Sequence, residues 1–147
     1  FPGLKVLQFA FGGDENNPYL PHNYPRNCVT YTGTHDNNTI LGWFCDPAGD
    51  TTQSAEAKER ERQCALKYLG CASEANNWDF IRLALASVAD MSIIPLQDIM
   101  GLGSEARMNR PGTTTGNWRW RFTWDRLTDE MKRRLKEMTG IYGRGAR

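Results

Sequence analysis

Apolar residues along this chain recur with two periods, and the points where one gives way to the other mark out its elements. Residues 5–11 (Lys-Val-Leu-Gln-Phe-Ala-Phe) are short, apolar and bounded by Pro2-Gly3 and Gly12-Gly13, which predicts a buried strand. Residues 12–27 carry Pro18, Pro21 and Pro25, a density that leaves no room for a regular helix and predicts a folded loop. Its length suffices for a crossover, so a second strand over residues 28–34 can lie parallel to the first. At Gly33 the β-branched and aromatic run turns polar, into Thr34-His35-Asp36-Asn37-Asn38-Thr39, and that change marks a strand end.

Two helices follow. Residues 54–69 are rich in Ala, Glu, Lys, Arg and Gln, with Ser54 placed to cap and Gly70 to stop them. The apolar stripe of Ala57, Cys64, Ala65, Tyr68 and Leu69 is narrow, so most of this helix should face water. Residues 78–89, capped by Asn76 or Asn77, are broadly hydrophobic and predict a buried helix. A third strand is expected over residues 91–96, with Pro95 near its end, then one helical turn over 97–101. Residues 104–117 form a polar loop too long for a simple connection. Trp118, Trp120, Phe122 and Trp124 alternate with Arg119, Arg121 and Thr123, the period of an extended segment with one apolar face. Thr128 caps a last helix that runs to about Met138 and closes at Gly140.

The order strand, crossover, strand, helices, strand predicts an α/β fold with a parallel sheet and right-handed connections. Three strands would leave apolar backbone edges bare on both sides, so further strands are expected upstream of Phe1. A chain of 147 residues is enough for one domain with a sizeable core. Eighteen Lys plus Arg against seventeen Asp plus Glu give a formal charge of +1, which offers no field to recruit nucleic acid or an acidic membrane. No apolar run reaches a membrane span. Cys28, Cys45, Cys64 and Cys71 include no Cys-x-x-Cys pair or nearby histidine set, so zinc is not expected; free thiols suit a reducing compartment.

The candidate chemistry lies where the second strand ends. Imidazole, carboxylate and carboxamide in succession at His35, Asp36 and Asn37 suit a polyhydroxylated ligand; the competing reading is a turn that caps the next element. For the Trp-Arg alternation, core packing is favoured over sugar stacking or nucleic-acid binding. His22 reads as a loop residue, and Asp14-Glu15 as solvated surface.

Several words of the chain carry a resemblance: Lys-Val-Leu-Gln-Phe-Ala-Phe (5–11), Asn-Pro-Tyr-Leu-Pro-His-Asn-Tyr (17–24), Tyr-Thr-Gly-Thr-His-Asp-Asn (31–37), Ile-Pro-Leu-Gln-Asp (94–98), Gly-Leu-Gly (101–103), Arg-Met-Asn-Arg-Pro-Gly-Thr (107–113) and Gly-Asn-Trp-Arg-Trp-Arg (116–121). Together they resemble the C-terminal part of the 4-α-glucanotransferases, also called amylomaltases or disproportionating enzymes. The resemblance implies that residues 1–147 are the C-terminal portion of a (β/α)8 TIM barrel, their strands corresponding to barrel strands six, seven and eight. It implies transfer of α-1,4-glucan segments between maltooligosaccharides by a retaining double displacement, with nucleophile and acid/base supplied upstream. Asp36 would then be the catalytic carboxylate that stabilises the transition state, and His35 would bind the donor sugar. Asn109, on the loop after the third strand, could bond sugar hydroxyls or merely shape the loop. Phe9 could line the acceptor side or be a core phenylalanine. No cofactor or metal is implied; the expected partners are α-1,4-glucan and the upstream part of the same chain, with no nucleic acid and no membrane. The expected compartment is the cytoplasm, or the plastid in a plant or alga. Rival expectations are another glucan hydrolase or branching enzyme of the α-amylase superfamily, and a glucan-binding fragment inactive by itself.

Overall fold

A computed structural model of the chain describes residues 1–46 and 53–145. Strands β1 (Gly3–Val6), β2 (Cys28–Tyr31) and β3 (Met91–Ile93) form one sheet in chain order, all parallel, with Lys5 opposite Thr30 and Thr30 opposite Ser92. The proline-rich crossover thus joins parallel neighbours, as its length allows.

All three strands are shorter than the apolar runs that announce them. After Val6 the chain winds into a 3-10 turn over Leu7–Phe9, closed by Ala10 N–H on Leu7 O at 3.0 Å. There the Gln8 side chain, rather than a next strand residue, donates to Thr32 O at 3.3 Å. An apolar run records burial, and Leu7, Ala10 and Phe11 are indeed buried, but outside the ladder. The second strand ends at Tyr31 rather than at residue 34, and the third at Ile93, because Pro95 has no N–H for the ladder and instead precedes α4 (Leu96–Ile99).

A short helix that the sequence did not announce, α1 (Ile40–Cys45), starts just after the polar stretch; Thr39 caps it by accepting from Gly42 N–H at 3.0 Å. Helix α2 (Ala55–Leu69) has the expected ends, Ser54 accepting from Ala57 N–H and Gly70 at φ 73°. It buries only Ala65 and Leu66, so most of it faces outward as expected; of the predicted stripe Ala65 alone is buried, Ala57, Cys64, Tyr68 and Leu69 are half-buried, and Leu66 lies outside that stripe. Helix α3 (Asn77–Ala86) is capped by Asn76, with Asp79 returning the bond to complete a capping box. It stops before residue 89, where Ser87 N–H and hydroxyl both turn back on Ala84 O and Arg144 donates to Leu85 O and Ser87 O. Helix α5 (Asp129–Ile141), capped by Thr128, passes through Gly140, and the left-handed residue after its end is Gly143.

Ala10, Phe11, Leu20, Ile40, Phe44, Ala65, Leu66 and Phe80 make one core between the loops and α1–α3. Trp78, Ile81, Leu85 and Met138 make a second, between α3 and α5. The segment 118–124 departs from expectation. Trp120 and Phe122 stack on each other at 5.7 Å and are half-buried, whereas Trp118 and Trp124 are 53% and 77% exposed. Alternation identifies a shared face but not what covers it. Leu4, Met91 and Ile93 on the outer strands are also exposed. The four cysteines are free thiols. No helix among the described residues is long and apolar enough to cross a membrane.

Candidate active site

Parallel strands present their C-terminal ends on one edge of the sheet, and each strand here is followed by one segment of the site. After β2, Asn37 Oδ1 accepts from Thr34 N–H at 2.9 Å and from the Thr34 hydroxyl at 2.7 Å, while Asn37 N–H closes on Thr34 O at 3.1 Å. Asn37 is therefore engaged in making a turn. His35 and Asp36 stand at its tip with side chains 57% and 51% exposed, His35 Nε2 being 3.3 Å from Asp36 Oδ1. The turn belongs to Asn37, and it leaves the side chains of His35 and Asp36 half exposed at its tip.

The loop after β3 closes onto that tip. Asn109 Nδ2 donates to Asp36 Oδ1 at 2.6 Å, and Asn109 N–H donates to His35 O at 3.1 Å. Arg107 donates through one terminal nitrogen to Asp36 O and through Nε to Asn109 O, both at 2.8 Å. At such exposure these bonds contribute little to stability; their effect is to place a carboxylate with a known neighbour on each side. Trp118 lies against the same tip, its ring 5.2 Å from the imidazole of His35. Its backbone is left-handed, φ 60°, with the N–H held by Met108 O at 2.7 Å. Such a conformation costs an L-residue about 1–2 kcal/mol.

Beneath the tip lie two buried polar side chains. Gln8 donates to Asn38 O at 2.8 Å as well as to Thr32 O. Asp98 is 1% exposed and accepts from the Thr32 hydroxyl and from Ile40 N–H at 2.8 Å. Burial pushes its carboxyl above the ordinary range, against the opposing pull of those two bonds. Asn77, opening α3, donates to Asp98 O at 2.7 Å, so the turn after β3 is anchored to the helix beneath it.

Two concavities flank the tip. One of about 160 Å3 includes Thr34, His35, Arg107, Met108 and Trp118; a larger one of about 740 Å3 includes Phe9, Asn17, Trp43 and Asp46. Asn37, Asn38 and Arg107 line both. The structure thus joins His35, Asp36 and Asn109, while Phe9 stands apart at the larger cleft. Phe9 is 50% exposed within these residues and edge-on to Tyr19 at 5.4 Å. Arg107, Gln8 and Asp98 lie beside or beneath this tip but were not singled out from sequence, where the available signal was a polar residue among apolar ones, Gln8 in 5–11 and Asp98 closing 94–98; Trp118, for which core packing was favoured, instead stands 53% exposed against His35. No group of three or more His, Cys, Asp or Glu among the described residues could hold a metal ion.

Comparison with known proteins places this arrangement. A family model described as 4-alpha-glucanotransferase matches residues 1–128. The 4-alpha-glucanotransferase of Synechocystis is 51% identical over 146 residues, 98% of this chain and 27% of that protein. That of Clostridium butyricum is 49% identical over 98% of this chain and 28% of its own length. The chloroplastic/amyloplastic enzyme of Arabidopsis thaliana is 48% identical over 97% of this chain and 24% of its own length. Among solved structures, an amylomaltase from Streptococcus agalactiae in complex with acarbose superposes with a TM-score of 0.86 at 35% identity, covering 99% of this chain and 28% of that one. The chain spans about a quarter of the length of these relatives. With agreement in sequence along nearly its whole length and in backbone course, the chain belongs to the 4-alpha-glucanotransferase family.

Proposed function

We propose that the full-length protein carrying this chain moves α-1,4-glucan segments between maltooligosaccharides by a retaining double displacement, and that this chain supplies its transition-state-stabilising carboxylate, Asp36. The single observation that carries the reading is the placement of Asp36: a half-exposed carboxylate on the C-terminal edge of a parallel sheet, gripped by Asn109 and flanked by His35. In barrels of this kind the active site lies on that edge. Strands β1, β2 and β3 are read as barrel strands six, seven and eight. The exposed Leu4, Met91 and Ile93 are consistent with further strands and with a covered apolar face in the whole protein.

A retaining glucan enzyme needs one carboxylate to form the glycosyl intermediate and a second carboxyl to protonate the leaving oxygen. Both are assigned to the part of the protein outside these residues. Asp36 accepts hydrogen bonds from ring hydroxyls of the donor glucosyl unit, and these strengthen as positive charge develops at the anomeric carbon. His35 adds a bond to the same sugar. Asn109 commits one amide hydrogen to Asp36 and has a second for a hydroxyl. Phe9 offers an apolar face to an acceptor glucose. A glucan partner is supported by the relative solved with acarbose. The plant relatives are named chloroplastic/amyloplastic, and free thiols suit either a plastid or a cytoplasm.

The test is Asp36→Asn in the full-length protein with maltotriose as both donor and acceptor. Loss of about 3–4 kcal/mol of transition-state stabilisation lowers kcat roughly 100- to 1000-fold. Parental turnover would refute the assignment. Release of glucose and maltose with no longer oligosaccharide would make the protein a hydrolase rather than a transferase.

A further inference from the structure

The turn that carries His35 and Asp36 is seven residues long, 33–39, and both of its ends are held by side chains from the neighbouring strand ends. On one side Gln8, just after β1, uses a single amide nitrogen to join Thr32 O before the turn and Asn38 O within its last two residues. On the other, Asp98, in α4 after β3, joins the Thr32 hydroxyl before the turn and Ile40 N–H after it, one oxygen to each. Thr32 is shared by both grips, and Thr32, Ile40 and Asp98 have at most 1% of their surface exposed. We propose that Gln8 and Asp98 are positioning residues for Asp36, a double bracket that sets the height and direction of the catalytic turn on the sheet edge. This rests on the reading of Asp36 given above.

Stability alone does not account for the arrangement. A buried carboxylate is unfavourable, and the upward displacement of Asp98's titration shows that its two bonds do not cancel the loss of water. An apolar pair of the same size could fill the space, but it could not tie two separated points of backbone together. The close approach is also built into the chain at Gly33, where a Cβ would lie 2.5 Å from the Gln8 amide nitrogen and 3.3 Å from Asn38 O. A side chain there would displace Gln8 from both carbonyls. Helix α1 is drawn into the same network, because the N–H that Asp98 accepts is that of its first residue.

Four variants of the full-length protein test the bracket with maltotriose: Asp98→Ala, Asp98→Asn, Gln8→Glu and, alongside them, Asp36→Asn. Asp98→Ala frees the turn and is expected to lower kcat about 100-fold, the cost of misplacing a reacting group by about an ångström, with KM within about threefold. Asp98→Asn keeps an oxygen for Ile40 N–H and lets the Thr32 hydroxyl accept instead of donate, so its kcat returns to within about fivefold of parental. Gln8→Glu keeps the shape but aims an oxygen at two carbonyls, and it lowers kcat at least about tenfold. This variant carries the test if Asp98→Ala does not fold. Hydrogen exchange of the amides of residues 33–39 quickens in the slow variants and not in Asp98→Asn. A folded Asp98→Ala or Gln8→Glu protein with parental kcat, or an Asp98→Asn protein as slow as Asp98→Ala, overturns the bracket. If Asp36→Asn is slow while the bracket variants are not, only the bracket fails; if Asp36→Asn is fast, the assignment of Asp36 fails first.

Discussion

Replacing Asn109 by alanine removes the side chain that grips Asp36, leaving the backbone bond from Asn109 N–H to His35 O in place. A hydrogen bond to a charged group has a net worth of about 1.5–3 kcal/mol. With the Asp36 side chain 51% exposed, water competes for the same lone pairs, and about 1 kcal/mol is the appropriate share. That converts to about a fivefold loss of kcat, far smaller than the effect of removing Asp36 itself. The informative measurement is a double-mutant cycle in the full-length protein: Asn109→Ala, Asp36→Ala and both together, followed by glucose release from maltotriose. If Asn109 acts by orienting Asp36, its truncation costs nothing once Asp36 is gone, and the coupling equals about 1 kcal/mol. If the two losses add to within about 0.5 kcal/mol, Asn109 works directly on the sugar through its second amide hydrogen and the positioning argument is refuted.

Trp118→Gly should relieve the left-handed backbone by about 1 kcal/mol, so Tm holds or rises, while loss of the ring against His35 raises KM for maltotriose; a drop in Tm with unchanged KM contradicts this. Asp98 titrates near 3.8 in the unfolded chain and higher in the fold, so between those values the native state binds the extra proton. The stability of the parent relative to Asp98→Asn therefore falls as pH rises from about 4 through the raised value and is flat above it, measurable as the difference in Tm. Ser54→Ala removes the cap of α2 and costs about 1 kcal/mol, seen as a lower Tm with kcat unchanged, since Ser54 itself lines neither concavity beside the catalytic turn. The 147 residues expressed alone should release no glucose from maltotriose, because the proposed mechanism needs two carboxyl groups from outside them; turnover by this piece would contradict it.

The elements whose signals are local were legible. Helix α2 begins at Ser54 and ends at Gly70, and Thr128 opens α5, because a cap is decided by one side chain and the few N–H groups beside it. Strand ends were less legible, since a ladder stops where its partner stops. Gln8 sits in an apolar word that reads as strand, yet its amide, not its backbone, reaches the neighbour. Helix α1 went unread because its six residues, Ile40–Cys45, are too few to show a period.

For the site, the His35-Asp36 pair could be read from composition and resemblance, because reactive side chains crowded at a strand end are a property of contiguous sequence. That Asn37 shapes the turn while the Asp36 side chain stays half exposed, that Asn109 grips Asp36 across seventy-odd residues, and that Asp98 and Gln8 hold the turn from beneath became visible only in three dimensions. The physical reason is range. Caps, turns and periodicity are settled within a few residues, whereas a hydrogen bond between the loops after neighbouring parallel strands joins residues that the crossover has separated in sequence and the sheet has brought together again.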